Sequence, residues 1–71
     1  MRQVPYESKV REYRERKGLS QEALARELGV SRQTIASIEK GLSEPRVLLA
    51  IAIGAVLGAA ITDLFRGGAG R

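Results

Sequence analysis

Apolar residues recur three and four apart along most of this chain, and the spacing predicts a row of short helices. Val10, Tyr13 and Arg14 share one side of a first helix, which Ser8 can cap and which runs to about Lys17. Arg11, Glu12, Glu15 and Arg16 form its solvated side, and Gly18 ends it. Between Ser20 and Gly41, Leu24, Leu28, Val30, Ile35 and Ile38 give two more helices one common apolar face. Ser20 and Ser31 each precede a helix and can accept from its unpaired N–H groups. Gly29 falls in the turn between them, where a positive φ costs least without a Cβ, and Gly41 follows in the usual stop position. Ala25 is small where the two helices must cross. Residues 41–46 (GLSEPR) are turn chemistry, and a further helix starts near Arg46. Gly58 interrupts it, and Asp63–Phe65 forms a short last turn. The chain reads as all-α with four or five helices, no strand and no repeat. It is expected to be one domain over residues 1–66, with 1–7 a loose arm and 67–71 a flexible tail.

Two short helices joined by a tight turn over residues 20–41 have the layout of a helix-turn-helix, the unit that lays its second helix into the major groove of DNA. The bulk numbers agree with that and close other routes. The 71 residues make one small domain whose core is marginal, so self-association is a natural source of extra stability. The net charge of +4 suits a polyanionic partner. With no cysteine and no histidine, thiolate and imidazole metal sites, disulfides and His-based triads are excluded. No catalytic residue, metal or cofactor is expected. The N-terminal stretch is polar and charged through Gly18, which predicts no signal peptide and a cytoplasmic protein.

From Val10 to Phe65 the chain resembles the Cro and phage-repressor (XRE-type) helix-turn-helix family, in particular its short single-domain members. The resemblance rests on Arg14 and Gly18, on Leu19 to Ala25 (LSQEALA), on Leu28 to Ile35 (LGVSRQTI), on Ile38 to Gly41 (IEKG) and on Pro45. Leu49, Ala50, Ile53 and Leu57 match the family's later apolar positions, and Ile61, Leu64 and Phe65 its close. The fold thus implied is a four- or five-helix repressor-like domain. The function implied is a repressor-type transcriptional regulator, binding a pseudo-palindromic double-stranded operator as a homodimer.

The family places the residues that open the second helix of the motif against base edges. Here they are Arg32 and Gln33. Arg can bond bidentately to guanine and Gln to adenine, each worth roughly 1–3 kcal/mol of discrimination; the alternative is two solvated first-turn residues. Ala36 and Ser37 lie one turn on, suited to a thymine methyl and to a base or phosphate. Gln21 and Ser31, at helix N-termini, suit phosphate. Family resemblance implies that contact for Gln21, whereas Ser31 reads first as an internal cap, which does not exclude the contact. Thr34, Lys40 and Arg46 are further phosphate candidates, which position the protein without reading sequence. The resemblance also implies that Arg14 and Glu39 form an ion pair bridging the first and third helices.

Two departures from the family pattern stand out. Arg46 replaces the usual serine after the proline. Leu48, Ala52 and Ala55 replace charged residues on the outer face of the next helix, so Val47 to Thr62 carries no charge over 16 residues. Leu48, Ala52 and Ala55, with Val56 and Ala59 beside them, form a candidate dimer interface. The same face can instead dock a protein partner. A membrane anchor is the remaining reading, since Gly54 and Gly58 are spaced for close helix packing in lipid. Sixteen residues rise only about 24 Å, against roughly 30 Å of hydrocarbon, which disfavours it.

Overall fold

The computed structural model describes residues 6–66, in which five helices surround one apolar core. They are α1 (Val10–Arg16), α2 (Gln21–Leu28), α3 (Arg32–Glu39), α4 (Val47–Leu57) and α5 (Ile61–Leu64). The core is built from the residues the periodicity marks: Val10 on α1, Leu24 and Ala25 on α2, Ile35 and Ile38 on α3, Ile53 and Leu57 on α4, and Leu64 on α5. α2 packs most extensively on α3. Both helices start at a serine whose hydroxyl accepts a backbone N–H, Ser20 from Ala23 and Ser31 from Thr34. Between them Gly29 adopts φ 71°, and the N–H of Val30 bonds back to the Ala25 carbonyl at 3.0 Å, which closes the turn tightly.

The structure corrects several expectations. A two-residue antiparallel pair, β1 (Glu7–Ser8) with β2 (Phe65–Arg66), joins the ends of the described chain. Elements this short leave no period-two pattern to read. Residues 6 and 7 therefore do not belong to a loose arm; the rest of that arm and the 67–71 tail lie outside the described residues. Ser8 sits in β1 rather than at a helix cap. Lys9 is the N-cap of α1, without a side-chain cap bond, and the helix ends at Arg16. The pairing of β1 pulls Ser8 into extended backbone, leaving only a long 3.4 Å contact from the Val10 N–H to its hydroxyl.

The proposed stripe on α4 is rotated from its expected place. Leu48 and Ala55 are exposed, but Ala52 is half-buried, and Val56 and Ala59 pack partly against the core. Val47 and Ile51 stand in solvent instead, so the open face is Val47, Leu48, Ile51 and Ala55. Because α4 is apolar all round, hydropathy gave no phase, and only the packing of Ala50, Ile53, Gly54 and Leu57 against the core decides which side is out. Gly54 is also explained locally. A Cβ there would meet the Ala59 carbonyl oxygen at 2.8 Å, because the chain folds back over the end of α4 through Gly58 at φ 67°. The small residues four apart serve that turn. No described helix is long and apolar enough to cross a membrane.

Candidate nucleic-acid interface

The first turn of α3 is presented to solvent by its cap. Ser31 accepts from the Thr34 N–H at 3.1 Å, and the two hydroxyls bond each other at 2.9 Å. Ile35 and Ile38 anchor the opposite side of the helix in the core. With that phase fixed, Arg32 and Gln33 are exposed, and Ala36 and Ser37 half-exposed one turn on. An open depression runs along this face, lined by Gln21, Arg32, Gln33, Ala36, Ser37, Lys40 and Leu42. The structure thus brings the four base-reading candidates together with Gln21 and Lys40. Ser31 and Thr34 lie at the same helix end. Arg46 stands apart, at the N-cap of α4 beyond the turn.

Beneath this face runs a chain of polar contacts. Arg14, with only 9% of its side chain exposed, pairs with Glu39, at 4%, through its Nε at 2.5 Å. Its Nη2 reaches the other carboxylate oxygen at 3.3 Å, and its Nη1 donates to the Leu19 carbonyl at 2.7 Å. Hydrogen bonding to Glu39 holds the Arg14 pKa above its ordinary value, although burial pulls the other way. Glu39 also accepts from Gln21 Nε2 at 3.0 Å, and Gln21 Oε1 accepts from Arg32 at 3.1 Å. The buried ion pair thereby orients Gln21, and Gln21 orients the exposed Arg32. Sequence reasoning named these four residues and the Arg14–Glu39 pair but not the links through Gln21, which depend on how α1, α2 and α3 converge.

Arg11 adds a further basic group. Periodicity put it on the solvated side of α1, yet it lines a second depression with Arg14, Ser20, Gln21, Glu22 and Arg32. Its spacing of three from Arg14 was the available signal. Arg11 is itself paired with Glu15, and several other charges pair locally: Lys9 with Glu7, Arg16 with Glu12 and Arg26 with Glu22. Arg32, Lys40 and Arg46 have no carboxylate partner among the described residues, and neither do Lys17 and Arg66 away from this face. Positive charge is therefore left unpaired on the α3 face, whereas the turn after it carries Glu44 between Lys40 and Arg46. No cluster of metal-ligating side chains occurs among the described residues.

An α2–turn–α3 unit with a solvent-facing second helix and unpaired cations beside it defines a helix-turn-helix protein. The family profile for the helix-turn-helix family HTH_3 matches residues 10–64, and the chain belongs to this family. It is 48% identical over 58 residues to an uncharacterized HTH-type transcriptional regulator of Methanocaldococcus jannaschii, covering 82% of this chain and 88% of that one. Its fold is similar to the restriction-modification controller protein C.AhdI of Aeromonas hydrophila, at TM-score 0.72 and 32% identity over 80% of this chain and 83% of that one. It is also similar to SinR, a master regulator of biofilm formation solved in complex with DNA, at TM-score 0.68 and 31% identity, covering 75% and 86%. The repressor-like fold, the transcription-regulator family and DNA binding as the family's business are thereby established.

Proposed function

We propose that this chain is a cytoplasmic, non-enzymatic regulator that binds a pseudo-palindromic double-stranded operator as a homodimer and represses transcription. The observation that carries the reading is the α3 face itself, where Arg32, Gln33, Ala36, Ser37 and Lys40 line one open surface. Arg32 and Gln33 sit at the helix end that enters the groove first, with donors matched to guanine and adenine edges. Gln21, Ser31, Thr34, Lys40 and Arg46 surround them as phosphate contacts, and Arg14 with Glu39 supports them from below.

Dimerisation is supported by the open face of α4. Val47 is 74% exposed, Leu48 81% and Ile51 50%. A two-fold axis buries that face against its own copy. Complete burial of such side chains contributes roughly 1.5–3 kcal/mol each, six per dimer, against an association cost of about 4–15 kcal/mol. The balance favours a dimer of modest affinity, tightened on DNA by two half-sites. Selection of bound sequences from a random duplex pool tests the proposal. A consensus with two inverted half-sites about one helical turn apart is expected. A single unrepeated half-site would remove the dimer, and no enrichment at all would remove sequence reading. Should the free protein prove monomeric, a protein partner becomes the better occupant of the α4 face.

A further inference from the structure

The turn from Gly41 to Arg46 begins after Lys40, which caps α3, and ends at Arg46, so its conformation sets where Arg46 stands relative to α3. Its first half is tied to α3 by backbone bonds, Gly41 to Ile38 at 3.1 Å and Leu42 to Ser37 at 2.9 Å. Beyond Leu42, Ser43 to Pro45 make no backbone–backbone hydrogen bond among the described residues. What holds this half is the Tyr6 hydroxyl, which donates to the Ser43 carbonyl at 2.5 Å and lies 3.4 Å from the Ile38 carbonyl in the last turn of α3.

Tyr6 is itself fixed from the far end of the chain. Its ring meets Phe65 edge-on at 5.6 Å between centroids. The adjoining Glu7 and Ser8 pair with Arg66 and Phe65, and the Lys9 N–H bonds to the Leu64 carbonyl at 2.7 Å. One side chain therefore connects the paired ends of the described chain to the turn that leaves the recognition helix.

We propose that Tyr6 is a positioning residue for the grip on the DNA backbone: its hydroxyl pins the second half of the turn after α3, so that Arg46 meets phosphate in register with Arg32 and Gln33. The inference rests on the DNA-binding reading above. Without the hydroxyl the turn keeps its covalent path but loses its anchor at Ser43, and its Arg46 end must be ordered again at each binding event, while Lys40 stays held on α3 through its N–H to the Ala36 carbonyl. The loss falls on sequence-independent contacts, because α3 is held separately by Ile35, Ile38 and Glu39.

The test is Tyr6→Phe in the full chain, which keeps the ring on Phe65 and removes only the donor. Binding to the selected operator and to a random duplex is measured across a salt series, for wild type, Tyr6→Phe, Arg46→Ala and the double variant. Both duplexes are expected to bind about 3–10-fold more weakly to Tyr6→Phe, the scale of one net hydrogen bond. The log–log salt slope should become shallower by up to about 0.9, one phosphate contact, with base preference unchanged. In the Arg46→Ala background the further effect of Tyr6→Phe should largely vanish. A merely structural role would lower the melting temperature and leave the slope of the folded protein untouched. Unchanged affinity and slope, a loss confined to particular bases, or an unfolded Tyr6→Phe chain would each overturn the inference. So would effects of the two variants that simply multiply. If wild type binds and Tyr6→Phe matches it, this inference alone falls; if wild type binds no duplex, the DNA-binding reading falls and carries it along.

Discussion

Replacing Glu39 by Gln probes the ion pair on which the recognition face rests. The two side chains are almost the same size, so the change isolates the charge. Arg14 would remain ionised with 9% of its side chain exposed and no carboxylate other than Glu15, 4.0 Å away and largely in solvent. Breaking one side of a buried pair costs about 3–5 kcal/mol, because the remaining charge is left uncompensated. A chain of 71 residues has a total stability on the order of 4–11 kcal/mol at the usual 0.05–0.15 per residue. Glu39→Gln should therefore consume about a quarter of it or more. The double variant Arg14→Met/Glu39→Leu should do less harm than either single change. It removes both charges together, and its cost comes from the Leu19 carbonyl and the Gln21 amide, each of which loses a partner. An unpaired buried polar group costs about 1–3 kcal/mol, less where water reaches it. Urea unfolding at 25 °C gives all the free energies and their coupling. A Glu39→Gln variant within about 1 kcal/mol of wild type would show that the pair is well solvated. Additive single and double variants would show that the two charges do not depend on each other. Either result would refute the account of how Gln21 and Arg32 are held.

Three other changes follow from the same geometry. Gly54→Ala should destabilise by about 1–3 kcal/mol in a thermal melt, since the new Cβ meets the Ala59 carbonyl at 2.8 Å; helix propensity alone predicts a gain of nearly 1 kcal/mol, so the sign decides which effect wins. Leu48→Lys or Ile51→Lys should shift the protein toward monomer in sedimentation equilibrium while leaving its melting temperature at high dilution unchanged, whereas a wild type already monomeric at tens of micromolar would remove the α4 face as a self-association surface. Gln33→Ala should cost roughly 1–3 kcal/mol at the operator and relax preference at one base pair per half-site with little change on random duplex; a uniform loss on every sequence would make Gln33 a phosphate contact instead.

Most of the helix-turn-helix was legible in the sequence because its determinants are local. The caps at Ser20 and Ser31 act over three residues, the positive φ at Gly29 is a property of one residue, and Val10, Leu24, Ile35 and Ile38 announce themselves by helical spacing. The chemistry of the recognition face was legible for the same reason: Arg32 and Gln33 follow directly from where α3 begins, given that Ile35 and Ile38 face inward.

Only the tertiary structure could decide the rest, since each remaining feature joins residues distant in sequence or depends on a phase that hydropathy does not carry. The strand pair of Glu7–Ser8 with Phe65–Arg66, and the reach of Tyr6 to Ser43, exist only once five helices bring the chain ends beside the turn after α3. The dual use of Gln21, donating to Glu39 and accepting from Arg32, requires α2 to lie across α3, and the Arg14 that anchors Glu39 comes from α1. On α4 every side chain is apolar or glycine, so the sequence states that a face is left over without saying which. Packing of Ile53 and Leu57 into the core turned Val47, Leu48 and Ile51 outward and drew Val56 in. Sequence determined the elements, their caps and the chemistry of the recognition helix, because those are set within one or two turns of backbone. The fold determined how α4 is rotated and what holds the recognition face in place, because those are set by contacts that no local pattern records.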